Sequence, residues 1–189
     1  TPLALAALDV CGAPALTARV VRSYADASGP SVAVIGAAGK SGSLSLAAAR
    51  RSGASRLVGV VPVEAEASAL LAAGLADEVV IADARDPVTL AGAIGTPVDV
   101  TVVCVDVPGC EGGAILSTAP GGTVVFFSMS TSFTAAALGA EGLAADVTML
   151  VGNGYVPGHA DMALQLVRDD AGVRRLFTDR LELAEAKTP

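Results

Sequence analysis

Gly36, Gly39 and Gly42, three glycines at a spacing of three, are the residues around which this sequence could do chemistry, with Lys40 and Ser41 between the last two. They follow the apolar run SVAVI and open an alanine-rich run that ends at Arg50 and Arg51. A strand that turns sharply into a helix at glycine aims backbone N–H groups and the helix N-terminus at an anion. The missing Cβ atoms let a phosphate approach the main chain. The chemistry that fits is the binding of a pyrophosphate, and hence of a dinucleotide. Glycine supplies 21 of the 189 residues, and such a spacing arises by chance in about one chain of this kind in four, so its place between a strand and a crossover helix is what gives it meaning. Gly36, Ala38, Gly39 and Gly42 are expected to line the site. Lys40 and Ser41 either touch phosphate or are solvated first-turn residues, two readings of equal weight.

The usual fingerprint is GxGxxG, and this one is GxxGxxG. An acid about 20 residues further on ordinarily holds the adenosine ribose. Here the first carboxylate past Val61-Pro62-Val63 is Glu64, which reads equally well as an ordinary acid in the first turn of a helix. No Lys or Arg lies between Pro62 and Asp83 to await a 2′-phosphate, which leans the reading to NAD over NADP.

Proton transfer has few candidates. Asp106 and Glu111 bracket a loop after a β-branched run, and His159 is the only histidine. For each the structural reading is the stronger: a loop carboxylate, a carboxylate at a helix N-terminus and a polar helix-start residue. The catalytic base is therefore left unassigned. Cys11, Cys104 and Cys110 are odd in number and show no CxxC spacing. No disulfide framework or metal site is expected, and a reducing cytoplasm is. Cys104 reads as a small core residue and Cys110 as a surface-loop thiol.

The elements that must position these residues follow from the pattern. A lead-in helix over 12–26 has Pro14 in its first turn and ends before Gly29-Pro30. Strands are expected at 31–35, 57–61, 78–82, 98–105, 123–127 and 147–151. Between them fall helices at 64–73 closed by Gly74, from the Asp86-Pro87 cap to Gly95, at 111–118, and a helix or loop at 132–143. Pro120-Gly121-Gly122 reads as a turn. Two helices, 157–168 and 172–185, close the chain. Six strands alternating with helices give an α/β fold, a doubly wound (Rossmann) six-stranded parallel sheet flanked by helices, with ligands at the carboxyl ends of the strands. The whole of 1–189 reads as one domain: a lead-in over 1–30, a core over 31–153 and C-terminal helices over 154–189.

Composition supports this and excludes other classes. Apolar residues make up 52% with only 3% aromatics, the mixture of a parallel sheet under alanine-rich helices. A net charge of −7 argues against nucleic acid and anionic membrane as partners. Residues 112–140 carry no charge, but Pro120, Gly121 and Gly122 interrupt them before a spanning length is reached. The first residues lack the basic stretch of a signal peptide.

ALTARVV followed by SVAVIGAAGKSG resembles the medium-chain dehydrogenase/reductase superfamily, whose cofactor domain opens with such a helix and nucleotide turn. GxxGxxG is similar to its quinone-reductase-like branch. Within it, GAAGKSG, DEVVIADARDP, DVPGCE, GGTVVFFSMSTSFTAAALGAEG and GNGYVPGHADMALQLVRD resemble the L-erythro-3,5-diaminohexanoate dehydrogenases of lysine degradation. The resemblance implies NAD or NADP as cofactor. Val105, Val107, Ser128, Met129 and Asn153 would flank its ribose and nicotinamide, with Asp83 and Arg85 near the adenine. It further implies a small-molecule substrate, oxidative deamination to 5-amino-3-oxohexanoate and ammonia, and a homodimer formed through the edge strand at 147–151. A substrate-binding domain is expected before the cofactor domain, and the chain has no room for it before Thr1. A quinone or enoyl reductase of the same superfamily, or a nucleotide-binding module without catalysis, stays open beside this.

Overall fold

The computed structural model describes residues 1–24 and 28–186. Two helices lead in, α1 (Pro2–Leu8) and α2 (Gly12–Ser23), and then strands and helices alternate: β1 (Ser31–Ile35), α3 (Lys40–Arg51), β2 (Arg56–Val61), α4 (Glu64–Ala73), β3 (Glu78–Ile81), α5 (Pro87–Ile94), β4 (Val98–Val103), α6 (Glu111–Leu116), β5 (Thr118–Phe126), α7 (Phe133–Gly142) and β6 (Thr148–Val151). The helices α8 (His159–Asp169) and α9 (Ala171–Glu185) follow. The sheet is parallel throughout, in the order β3-β2-β1-β4-β5-β6. This is the Rossmann-like α/β fold that the pattern predicts.

Both faces of the sheet are covered, so its central strands are apolar on successive residues and the two periods of the pleat enter different cores. Val32 and Val34 of β1, Leu57 and Val61 of β2 and Val100 and Val102 of β4 face one layer, which holds α2, α3, α4, α8 and α9. Ala33 and Ile35, Val58 and Val60, and Val98 and Val103 face the other, built by α5, α6 and α7. Helix ends obey local chemistry. Gly74 closes α4 in the left-handed region at φ +67, while the Asp86 and Ser132 side chains accept from Thr89 and Ala135 N–H at the starts of α5 and α7.

The strand order reverses between β1 and β4, whose neighbours β2 and β5 carry the chain outward in opposite directions. That point opens a crevice at the carboxyl ends of the strands. As expected, β6 is an edge strand, and β3 is the other.

Four expectations need correction. The lead-in helix ends at Ser23, where Tyr24 turns to extended backbone; positions 25 and 26 of the expected helix lie outside the described residues. A separate helix, α1, precedes it. Pro120-Gly121-Gly122 is no turn between elements but lies inside β5, whose pairing with β4 slips between Val98 and Val100. Gly121 takes the slip at φ +77 and donates its N–H to Asp146 O at 2.6 Å, while Thr118 at the strand start is anchored by buried hydroxyl bonds. Finally, Cys110 is no surface thiol. It is 4% exposed, sits at the start of α6 within the second core, and turns its Sγ toward Val107 O.

Among the described residues no single helix is long and apolar enough to cross a membrane. The pair α1 and α2 passes on length and composition only with a 49° bend, and α2 is buried along nearly its whole length.

Candidate functional site

The glycine turn stands at the crevice, between the end of β1 and the start of α3. Gly36 adopts φ +81, a region that only glycine enters without strain, and a Cβ there would lie 2.6 Å from Val105 Cγ1 and 3.2 Å from Cys104 O. Gly42 serves close packing: its Cβ would fall 2.1 Å from Gly36 O. Gly39 is less constrained, at φ −71 as the N-cap of α3.

The turn's own hydrogen bonds divide its N–H groups in two. Gly36 and Ala37 both donate to Val60 O, at 3.0 and 3.1 Å, and Gly39 donates to Gly36 O at 3.0 Å. These fix the turn on β2. The N–H groups of Lys40, Ser41 and Gly42, in the first turn of α3, have no acceptor within their helix and point toward its positive end. The anion-facing donors thus start at Lys40, four residues after Gly36.

Beside the turn lies a cavity of about 350 Å³, walled by the ends of β1 and β2, by Asp83 and Arg85 after β3, and by Val105, Val107 and Cys110 after β4. Its lining is largely apolar, broken at the lip by one ion pair. Arg85 donates from Nε and Nη2 to the two carboxylate oxygens of Asp83, at 2.9 and 2.7 Å, and its N–H adds a bond at 3.0 Å. These bonds hold the exposed Asp83 carboxyl well below the usual range, at about 2. Glu64 is exposed in the first turn of α4 and lies off the cavity wall, which Pro62 forms instead. The carboxylate on that wall is Asp83.

The loops after β4, β5 and β6 hold the remaining expected residues. Asp106 is exposed and accepts from Ser130 Oγ at 2.6 Å, tying the loop after β4 to the loop after β5. Ser128 Oγ accepts the Ser130 N–H at 3.2 Å. Met129 is fully exposed. Asn153 is exposed; its side chain accepts the Tyr155 N–H at 3.1 Å and its carbonyl abuts Gly12.

Two of the three proton-transfer candidates are occupied elsewhere. Glu111 is buried, and its carboxylate accepts the Ser132 N–H at 2.6 Å, which fastens the start of α7 to α6. His159 has Nδ1 2.7 Å from Val156 O and its ring 5.1 Å from that of Tyr155. It lines a separate groove with Arg19 and Arg22, between α2 and α8. Asp106 alone of the three faces solvent beside the crevice. Among the described residues no group of His, Cys, Asp and Glu is placed to hold a metal ion. Burial raises both nearby thiols, that of Cys104 to about 11.

Sequence reading missed two contacts to the glycine turn. Asp9, at the end of α1, accepts from Lys40 Nζ at 2.5 Å, and Arg180 of α9 donates from Nε to Ala38 O at 3.2 Å. Neither has a local signal, since Asp9 lies 31 positions from Lys40 and Arg180 lies 142 from Ala38.

No protein-family profile matches the chain. Over 182 residues, 93% of its length, it is 47% identical to the L-erythro-3,5-diaminohexanoate dehydrogenase of Acetoanaerobium sticklandii. It is 42% identical over 184 residues to the enzyme of that name from Fusobacterium nucleatum. It spans about half of each, 52% in both cases. Among solved structures, an alcohol dehydrogenase from Thermus sp. ATN1 superposes with a TM-score of 0.65 at 23% identity, over 92% of this chain and 50% of that one, a likeness of fold. The chain is thus a homologue of the L-erythro-3,5-diaminohexanoate dehydrogenases, matching half their length.

Proposed function

We propose that this chain, as a homologue of those enzymes, is the dinucleotide-binding half of an NAD(P)-dependent dehydrogenase that oxidatively deaminates L-erythro-3,5-diaminohexanoate. The observation that carries the reading is the glycine turn at the strand-order reversal, with the unbonded first-turn N–H groups of α3 beside an apolar cavity. The residues present fit a dinucleotide. Gly36 and Gly42 let the turn fold tightly, since a Cβ at either would collide with Val105 or with Gly36 O, the first turn of α3 supplies donors for pyrophosphate, and the cavity suits an adenosine with Asp83 able to accept from its ribose hydroxyls.

A bound nicotinamide would supply the acceptor for a hydride from C3 of the substrate, so that the neutral 3-amino group would become an imine whose hydrolysis gives 5-amino-3-oxohexanoate and ammonia, with one proton released. The chain's own part is to hold and orient. The bond from Ser130 to Asp106 joins the loops that would flank the nicotinamide, whereas Val105 and Val107 share the adenosine cavity with Asp83 and Arg85 and give it apolar wall. NAD is the favoured cofactor, because Arg85, the one cation on the cavity wall among the described residues, already serves Asp83. Val151 and Ile81 stand exposed on the edge strands β6 and β3, and β6 is the edge through which two copies would pair, hiding its open backbone. The free cysteines suit a reducing cytoplasm.

Calorimetric titration of the folded chain with NADH and NADPH tests this. Binding of NADH, tighter than that of NADPH, is expected, and no binding of either at near-millimolar concentration refutes the cofactor reading. The full-length protein is expected to release ammonia from the diamino acid with reduction of NAD, and light scattering reads the dimer.

A further inference from the structure

The charges at the glycine turn are placed against local preference. Lys40 is the first residue of α3, where the positive end of a helix disfavours a cation, and that first turn contains no acid. Asp9 caps the C-terminus of α1, where the negative end disfavours an anion. Each is tolerated because it meets the other, with Lys40 Nζ 2.5 Å from Asp9 Oδ2. The two side chains stay 37% and 64% exposed, so a ligand can reach both. Carbonyl contacts around Gly12, Asn153 and Gly154 bring the α1–α2 corner to the carboxyl end of the sheet, beside the same crevice as the turn.

We propose that Asp9 is a built-in counter-anion for the glycine turn. It holds Lys40 while the turn is empty and yields it to the dinucleotide phosphate on binding, so that it sets affinity and its salt dependence. Asp9 is in this sense a positioning residue acting through Lys40. The inference rests on the cofactor reading above. Under it, Lys40 takes the first of its two sequence-based readings, with the side chain a phosphate ligand held in reserve. A surface ion pair is weak, so the competition is mild. Breaking one costs about 0.2–1 kcal/mol, which is at most about a five-fold change in affinity.

Calorimetry with NADH on this chain and on Asp9→Asn, Lys40→Met and the double variant provides the test. Asp9→Asn is expected to bind NADH about two- to five-fold more tightly at low salt, with the gain shrinking in about half-molar sodium chloride as the charges are screened. Lys40→Met is expected to weaken binding, and Asp9→Asn to add nothing in its background. Asp9→Glu keeps the parent affinity, and Asp9→Ala repeats the gain should the amide disturb α1. An unchanged or weaker Asp9→Asn, or an equal gain with and without Lys40, overturns the inference while leaving cofactor binding intact. A folded parent chain that does not bind NADH overturns the cofactor reading and this inference with it.

Discussion

Gly42→Ala is the substitution on which the geometry of the turn is most exposed to refutation. An alanine Cβ at 42 would lie 2.1 Å from Gly36 O and 2.8 Å from both Gly36 C and Ala37 Cα. All three are backbone atoms, so no rotamer change gives relief, and restoring an ordinary contact requires movement of roughly an ångström. Overpacking of this kind costs about 1–3 kcal/mol or more, against about 1 kcal/mol gained from alanine's helix propensity. A net loss of up to about 2 kcal/mol lowers the melting temperature by up to roughly 8 °C in a domain of this size. Shifting the first turn of α3 also displaces the Lys40 and Ser41 N–H groups, and we expect NADH affinity to fall by about tenfold or more, the worth of one good hydrogen bond to a charged group. Gly39→Ala is the control. Its Cβ would meet one atom, Gly36 O at 3.1 Å, in a backbone any residue adopts at φ −71, so its melting temperature should move little. Thermal unfolding by circular dichroism and calorimetry with NADH read both. A Gly42→Ala protein as stable and as tightly binding as Gly39→Ala would refute the close-packing account.

Three further outcomes follow from particular contacts. Thr118 Oγ1 donates to Ala114 O at 2.8 Å, so Thr101 Oγ1, 2.7 Å away, must donate to Thr118; Thr118→Val therefore strands a donor and an acceptor and should cost about 1–3 kcal/mol in urea unfolding, whereas Thr101→Val should cost less. Glu111→Gln keeps an acceptor for the Ser132 N–H, so stability should be retained and, on the dehydrogenase activity proposed above, kcat as well, whereas a loss of about a hundredfold or more would instead mark a proton-transfer role. The Asp77 carboxyl is held below the ordinary range chiefly by Arg50, with help from the Leu57 N–H. A carboxylate with its folded pKa depressed contributes stability that is present above its unfolded value of about 3.9 and lost as pH falls through the lower folded value. The urea midpoint should accordingly decline as pH drops below about 4, and Asp77→Asn should show a shallower decline over that range.

What the sequence made legible is what depends on near neighbours in the chain. The sheet order could be anticipated because each crossover from β1 to β3 and from β4 to β6 is short and apolar at the expected period. Asp86-Pro87 and Gly74 marked helix ends through chemistry contained within four residues. Pro120-Gly121-Gly122 misled for the complementary reason. Its turn composition is real, but the backbone it bends is pinned on both sides by Val98 and Asp146, which lie elsewhere in the chain. Cys110 looked exposed because its neighbours Pro108 and Gly109 are loop residues, yet the start of α6 carries it inward.

The same distinction governs the charged candidates. Residue type says what a side chain could do; its partner decides what it is free to do, and partners come from a distance. Glu111 is committed to Ser132, Arg85 to Asp83 and Lys40 to Asp9, leaving Asp106 beside the crevice with a single hydroxyl for company. The glycine turn follows this pattern. Its φ values are local, but it is bonded to Val60 of β2, met from one end of the chain by Asp9 of α1 and from the other by Arg180 of α9. α9 is itself locked against α4, where a Cβ on Gly172 would fall 2.1 Å from Ala73 O. The first-turn N–H groups of α3 are therefore oriented by elements from both ends of the chain. A peptide carrying SVAVIGAAGKSG alone should have no measurable affinity for NADH, because it lacks Val60 to fix the turn and the packed face of α3 to align its first-turn N–H groups.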